Sequence, residues 1–360
     1  MRLYVQQASF AAALDAVCKR ISKNNANPIY GGVLLRTVDD ALELTSTHTT
    51  RSIRHTIEAR VEESGETVLP GELLSKSVGC MADGTVTVET ELGGTVVKCG
   101  RSRLRLNHMD ARMFDEFPRI EPTSTLTVSR TLFGSMVERS SRYVQKEQTG
   151  RPELLGVNVS AHGGVLKMSS TDGHRFFEAS ANIGECDFEA IVDVESLRDM
   201  ASLATSDDVT IGMSDNQVTM ESGNVSYVGR IINGAYPPFA PLLERHNRNI
   251  TVTVDPHSVI TALASVAIVA KDSGRVELTT MDRSVTLRAV SQDRGEATVE
   301  VDADVSGGSE TIGLSHKYLS EGMRSMGEVV DMAIDGPLSA VVMRSTDDCD
   351  MTYMLMPMRL

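Results

Sequence analysis

Tryptophan is absent from this chain, and aromatic residues together make up only 4% of it. Valine, leucine, isoleucine, alanine and methionine must therefore do the packing. Cysteine is scarce and scattered: Cys18, Cys80, Cys99, Cys186 and Cys349 are odd in number, far apart and never in a CxxC. That excludes a disulfide framework and an ordinary zinc site, and it fits a reducing compartment, so a cytoplasmic protein is expected. No stretch approaches the ~18 consecutive apolar residues of a membrane span. The opening Met1-Arg-Leu-Tyr-Val-Gln-Gln7 lacks the apolar core of a signal peptide. Positive charge is in deficit, with 35 Lys and Arg against 49 Asp and Glu and a formal net charge of −14. Such a chain does not coat itself with nucleic acid by global attraction; if it handles DNA, its cations must gather on one surface. Also missing are a G-x-S-x-G elbow, a Walker loop, an H-E-x-x-H and a Rossmann fingerprint, which removes the enzyme classes those motifs serve.

What is present begins at the far end. The last ten residues, Met351-Thr-Tyr-Met-Leu-Met-Pro-Met-Arg-Leu360, hold four methionines in an apolar run. Solvated termini fray, so an apolar one implies a docking surface. The run predicts a last strand over Thr352 to Met356, stopped by Pro357, which cannot continue a ladder. Methionine is flexible and polarizable and suits a surface that accepts several apolar partners.

The 360 residues, 41% of them hydrophobic, suit two or three domains rather than one core. The chain repeats weakly at a third of its length. An alternating strand precedes an amphipathic helix near the start of each third. In the first, Leu3 and Val5 lead to Ser9, expected to cap a helix that carries Phe10, Leu14, Val17 and Ile21. In the second, Leu126 and Val128 lead to Leu132, Met136 and Val137. In the third, Val252 and Val254 lead to Asp255-Pro256, a cap followed by proline at the first helical position, then Val259, Leu263 and Val266. A strand ending in a polar turn follows at Leu42 to Thr47, Leu166 to Thr171 and Val285 to Val290. Leu42 and Leu166 stand 124 residues apart, Leu166 and Val285 119. Second helix entrances come at 68–74, 192–197 and 312–319, and short alternating strands at 86–88, 209–211 and 330–332. The joints Phe114-Asp-Glu-Phe-Pro118 and Gly234-Ala-Tyr-Pro-Pro-Phe239 each set an aromatic against proline, where a rigid extended linker is wanted. Two helices and roughly eight short strands per third make an α+β domain whose helices cover one face of antiparallel sheets.

Three such domains, Ser170-Thr-Asp-Gly-His-Arg175 at a strand end, and a terminus reading Met-Pro-Met-Arg-Leu together resemble the bacterial DNA polymerase III beta sliding clamp family. The resemblance covers the whole chain; Gly100-Arg-Ser-Arg103 and the Asp-x-Phe-Pro-like joint add weaker support. It implies three tandem copies of a DNA-clamp domain, at 1–120, 121–246 and 247–360. Two chains are then expected head to tail in a homodimeric ring of six domains, helices lining the hole. The implied role is to encircle double-stranded DNA without sequence preference. The ring tethers the DNA polymerase III alpha subunit, the 3'-5' exonuclease-containing polymerase complex, the clamp loader and other proteins carrying a clamp-binding motif. No cofactor, metal or catalysis is implied, and the loader supplies the energy of ATP. A heterologous interface whose rotation closes makes a ring, and topology then holds DNA without tight contacts.

By the same resemblance, a partner-peptide pocket for a short segment with a glutamine and a few apolar residues is lined by Leu154, Thr171, Gly173, His174, Arg175, Phe176, Pro237, Leu242 and Leu338. Met354, Leu355, Met356, Pro357, Met358, Arg359 and Leu360 complete it. The subunit interface sets Leu104 and Leu106 against Ile268 and Val269. The DNA-facing set is Lys19, Arg20, Lys23, Asn24, Asn25, Lys76, Arg139, Lys146, Arg198, Lys317 and Arg324. Four departures from the family pattern stand out. Asn24 occupies a position that is commonly arginine, Glu195 one that is commonly lysine, and Pro152-Glu153 replaces an aromatic pair. Where family loops carry an arginine, this chain reads Ala240-Pro241. The loop change bears on partner preference, while the cations lost at Asn24 and Glu195 are expected to weaken DNA contact. Two rival functions are open to the sequence: an enzyme using Asp172 and His174 with Ser169 or Ser170, and a degenerate clamp that keeps only the peptide pocket as an interaction scaffold.

Overall fold

The computed structural model describes residues 1–18, 27–48, 50–147, 150–271 and 273–360. Five of the expected DNA-facing residues, Lys19, Arg20, Lys23, Asn24 and Asn25, and the helix residue Ile21, lie outside the described residues. Those described form seven α-helices: α1 (Gln7–Cys18), α2 (Gly71–Gly79), α3 (Arg130–Ser140), α4 (Val194–Leu203), α5 (Ala240–Glu244), α6 (Pro256–Ala267) and α7 (His316–Met323). They also form four sheets in which neighbouring strands all run antiparallel.

The backbone groups into two compact units, residues 1–130 with 199–231, and residues 131–198 with 232–360. In the first unit an eight-stranded sheet runs in the order 124–129, 208–213, 217–222, 225–230, 51–58, 41–48, 32–38 and 66–70. Strand Val225–Arg230 pairs with Arg51–Glu58, so the ladder passes from the middle third into the first third without a break. A five-stranded sheet completes that unit and ends on strand Ser102–Leu106. In the second unit a nine-stranded sheet joins Arg175–Asn182 of the middle third to Asp350–Leu355 of the last third. A four-stranded sheet there ends on strand Gly295–Asp302. The grouping cuts through the middle third because each of its halves shares a ladder with a neighbour. Main-chain hydrogen bonds, not a linker, hold the thirds to one another within each unit.

Local chemistry explains the elements. Strand Ser124–Ser129 alternates with Leu126 and Val128 inside and Thr125, Thr127 and Ser129 outside, the period of a sheet with one face buried. Helix α6 starts where Asp255 accepts from the His257 and Ser258 amides at 3.1 and 2.9 Å, and Pro256 holds its first turn. Its buried stripe is Val259, Ala262, Leu263 and Val266. Two expectations are corrected. Ser9 does not cap α1 but lies inside it: the helix begins at Gln7, directly after strand Arg2–Gln6. The buried Gln7 amide donates to the Val78 carbonyl of α2 at 2.8 Å, which fixes the start two residues early. In α3 the stripe is Phe133, Met136, Val137 and Ser140, and Leu132 sits one position off it, half-buried.

The C-terminus is docked. Its last strand spans Asp350–Leu355, beginning two residues before and ending one before the expected span. Beyond it the Met356 amide donates to the His174 carbonyl at 3.0 Å, the Met358 amide to Gly313 at 2.8 Å, and Arg275 to the Arg359 carbonyl at 2.8 Å.

Helix α7 packs against that strand through Gly322. A Cβ there would stand 2.5 Å from the Tyr353 ring, and that ring is fully buried with its hydroxyl donating to the Tyr318 carbonyl at 2.9 Å. Alanine favours a helix over glycine by about 1 kcal/mol, but overpacking a filled core costs about 1–3 kcal/mol. We therefore predict that Gly322→Ala lowers the urea midpoint; an unchanged or raised midpoint would mean that Tyr353 yields at no cost.

Candidate functional site

The Thr171 to Arg175 turn is built from its own side chains. Asp172 Oδ1 accepts from the His174 and Arg175 amides at 3.1 and 3.2 Å. Thr171 Oγ1 accepts from the Gly173 amide at 3.1 Å and donates to the Arg175 carbonyl at 2.6 Å. Gly173 takes φ +89°, in the left-handed region where glycine alone sits without strain. The turn lifts His174 into solvent and drives Arg175 inward, its side chain 5% exposed.

Arg175 is the hub of the second unit. It binds Asp172 at 2.9 Å and Glu321 of α7 at 2.5 Å, and its guanidinium lies between the rings of Tyr143, 5.0 Å away, and Tyr318, 4.2 Å away. Burial works against its charge, but the carboxylates of Glu321 and Asp172 outweigh that and raise its pKa above the usual arginine value. Behind it Tyr143 stacks on Phe177 at 4.9 Å and donates to Ser325 Oγ at 2.5 Å. An Asp172–His174 acid–base pair is not assembled, because Asp172 is committed to backbone amides and to Arg175.

Beside this hub lies a concavity of about 500 Å³ lined by His174, Gly274, Ser315, His316, Lys317, Tyr318, Met356, Pro357 and Met358. The His174 and Tyr318 rings face each other at 6.4 Å. Next along the sheet, Phe176, Val342 and Met354 form a buried apolar floor on which Phe239, Leu243 and Ala340 pack. The strand register explains the meeting, since Arg175 stands opposite Leu355 and Phe176 opposite Met354. Of the residues expected at a peptide pocket, Leu154, Thr171, Arg175, Phe176, Met354 and Leu355 are buried. Gly173, His174, Leu242, Leu338, Met356, Arg359 and Leu360 are exposed; Pro237, Pro357 and Met358 are half-buried. Gly274, Ser315, His316 and Tyr318 were not foreseen. Their signal in the sequence is the α7 entrance Ser315-His-Lys-Tyr318, whose meeting with the C-terminus depends on a register that no local pattern reveals. Lys317, expected to face DNA, also lines this concavity.

The other expected cations of the helices are described next. Lys76 of α2 pairs with Glu72 at 2.7 Å, and Arg198 of α4 with Glu195 at 2.8 Å. Arg139 of α3 is 18% exposed and held by Asp347 at 2.9 Å and by Asp348. Lys146 and Arg324 are exposed and, with Arg142 and Arg198, edge a cavity of about 770 Å³ that also presents Asp193, Glu195 and Glu321. At the expected interface, Leu106 is buried, Leu104 and Val269 half-buried, and Ile268 69% exposed.

This arrangement can be set beside known proteins. The DNA polymerase III beta subunit family models match the chain in three consecutive pieces, the N-terminal domain at residues 1–121, the central domain at 127–238 and the C-terminal domain at 245–359. The chain belongs to the DNA polymerase III beta subunit family. Members of this beta sliding clamp family are processivity factors without catalysis of their own. A beta sliding clamp of Synechocystis is 26% identical over 391 residues, covering all of both chains. One of Staphylococcus aureus is 24% identical over 376 residues, covering all of this chain and 99% of the relative. In fold, the chain superposes on the DNA polymerase III subunit beta of Pseudomonas aeruginosa with a TM-score of 0.93 at 23% identity, each chain fully covered. It superposes on the Bacillus subtilis sliding clamp with 0.93 at 21%, covering all of this chain and 99% of the other. The three clamp domains are thereby established, and among the described residues no helix is long and apolar enough to cross a membrane.

His316 gives the groove a pH signature. Burial first, and the neighbouring Lys317 second, lower its pKa below 6.5. The fold thus favours the neutral imidazole, and the stability this gives is held above pH 6.5 and lost as pH falls through the depressed pKa. We predict that an NMR titration places His316 below 6.5 and that Lys317→Ala moves it only part of the way back, because burial remains. A full return to 6.5 would make Lys317, not burial, the dominant cause.

Proposed function

We propose that the chain is a sliding clamp that pairs head to tail into a six-domain ring around duplex DNA and tethers the replicative polymerase, its loader and other partners through the groove beside Arg175. Processivity then arises from effective concentration, not chemistry. The observation that carries this reading is the full-length family match together with the docked C-terminus, whose Met356 amide donates to the His174 carbonyl of the Thr171–Arg175 turn. The domain limits 1–120, 121–246 and 247–360 belong to the same proposal, as does a cytoplasmic location.

Closure is supported by the sheet edges. Strand Ser102–Leu106 ends the five-stranded sheet and presents Arg103 and Arg105. Strand Gly295–Asp302 ends the four-stranded sheet and presents Glu296, Glu300 and Asp302. An open edge is an invitation to pair, and opposite charges on two edges direct each to the other rather than to itself. Leu104 and Ile268 supply apolar contact at this seam, flanked by Val269, while Leu106 supports it from the core.

DNA contact in this reading is phosphate-directed and free of base recognition. The residues assigned to it among those described are Lys76, Arg139, Lys146, Arg198, Lys317 and Arg324. The second reading, a scaffold without DNA retention, has one specific observation in its favour: Lys76, Arg198 and Arg139 are each paired with carboxylates of the chain itself. A clamp loaded on a nicked circle stays until the circle is cut; a scaffold does not stay at all.

Two measurements check the ring. Sedimentation at micromolar concentration is expected to give about twice the 39.0 kDa chain mass. Arg103→Glu is expected to yield monomer and Glu300→Arg to restore the dimer in the double variant. A monomeric wild type, or a single variant that dimerises unchanged, removes the seam. Freeing a cation by Glu195→Gln is expected to steepen the salt dependence of DNA retention by up to about 0.9 in log–log slope.

A further inference from the structure

The apolar floor beside the groove is already covered by the chain itself. Phe239 stacks on the buried Phe176 with ring centroids 4.2 Å apart and planes 20° from parallel. Phe176, Met354 and Val342 beneath it are buried, whereas Phe239 is half-buried, so its outer face meets solvent. The attachment of Phe239 is slight. It precedes α5, a helix of five residues without a side-chain cap, and its carbonyl accepts from the Leu242 and Leu243 amides at 3.0 and 3.1 Å. A helix so short has no stability of its own and stays folded through what it packs on. The family matches stop at residue 238 and resume at 245, so Phe239 and α5 lie in the joint between two matched domains.

We propose that Phe239 is an internal plug. In the free protein it holds the place over Phe176 that a partner's apolar anchor takes, and binding exchanges one ring for the other. The inference rests on reading the groove as the partner-peptide site. It adds that the apparent dissociation constant of any partner is the intrinsic one divided by the fraction of molecules in which Phe239 has swung out. It also names the anchor. The vacated slot is flat and floored by a phenyl ring, and an aromatic replacement regains the stacking contribution, worth roughly two- to tenfold, that a leucine forgoes.

The absence of tryptophan makes the test direct, because Phe239→Trp places the sole indole of the full-length protein at the plug. The probe is a tryptophan-free synthetic pentapeptide with one glutamine, leucine, and phenylalanine at its end, alongside a version ending in leucine. On adding the phenylalanine peptide, indole emission is expected to shift to the red as the ring moves into water. Calorimetry with Phe239→Ala is expected to show binding about tenfold tighter than wild type, as for a competitor populated some nine-tenths of the time. Phe239→Leu, which keeps an apolar contact, is expected between the two, and far-UV circular dichroism checks that each variant is folded. If the peptide binds the wild type but emission stays unmoved or turns blue, or Phe239→Ala binds more weakly, Phe239 is a fixed wall and the plug is refuted. If neither wild type nor Phe239→Ala binds, the groove reading fails and the plug with it.

Discussion

The pairing of strand Arg175–Asn182 with strand Asp350–Leu355 is the constraint on which the second unit depends. The two segments are separated by more than a hundred residues of chain, and closing so long a loop is entropically unfavourable. That cost grows only slowly with length and is met once by a cooperative ladder. The side-chain period of a strand is two, so a slip of one residue would turn every side chain to the other face. It would move Phe176 and Met354 off the floor and expose Arg175 without its partners. Register at this one junction therefore fixes the hub, the floor and the docking of the C-terminus together.

The ion pairs at the hub add specificity more than stability. Removing two carboxylates and a guanidinium from water costs several kcal/mol, and a well-packed apolar set can do as well. What the charged set adds is exclusion: with Asp172 and Glu321 in place, no apolar residue can replace Arg175 without leaving them unpaired. The first unit carries a counterpart in which Arg51, at the start of its own strand, pairs with Asp199 of α4 at 2.6 Å, Asp199 being 1% exposed. Thr47 to Arg51 and Thr171 to Arg175 hold corresponding places in the repeat, so the same device closes both large sheets. At the first joint Phe117 lies against the Arg54 guanidinium at 4.6 Å and Phe114 is buried with Ile29, Leu34 and Val68, where at the second Phe239 covers a phenyl ring.

Period and punctuation made much of this legible in the sequence. Alternation located the strands at Leu42, Leu166 and Val285, Asp255-Pro256 marked the start of α6, and an apolar terminus implied docking. The misses share a physical cause. Ser9 looked like a cap because caps are local, yet the helix start was set by Gln7 reaching Val78, seventy-one residues away. Helix α5 was hidden by Pro237, Pro238 and Pro241, which read as a loop, although proline is welcome in a first turn. The clasp of Arg139 by Asp347 and Asp348 spans more than two hundred positions and has no local trace.

Those clasps bear on how an acidic chain could hold DNA at all. The pairs Lys76–Glu72 and Arg198–Glu195 are exposed and lie within single helices, where an ion pair contributes at most about 1 kcal/mol. A phosphate can therefore replace the carboxylate at little cost, and these cations remain available to a polyanion. Arg139 differs: it is largely enclosed and held by two aspartates, so a phosphate would have to strand both. In a ring, such weak and exchangeable contacts are an advantage, since retention comes from closure and sliding requires that no single contact be costly to break. The net charge of −14 is then no obstacle to the proposed function, because a ring of that kind needs only a few cations that can change partners.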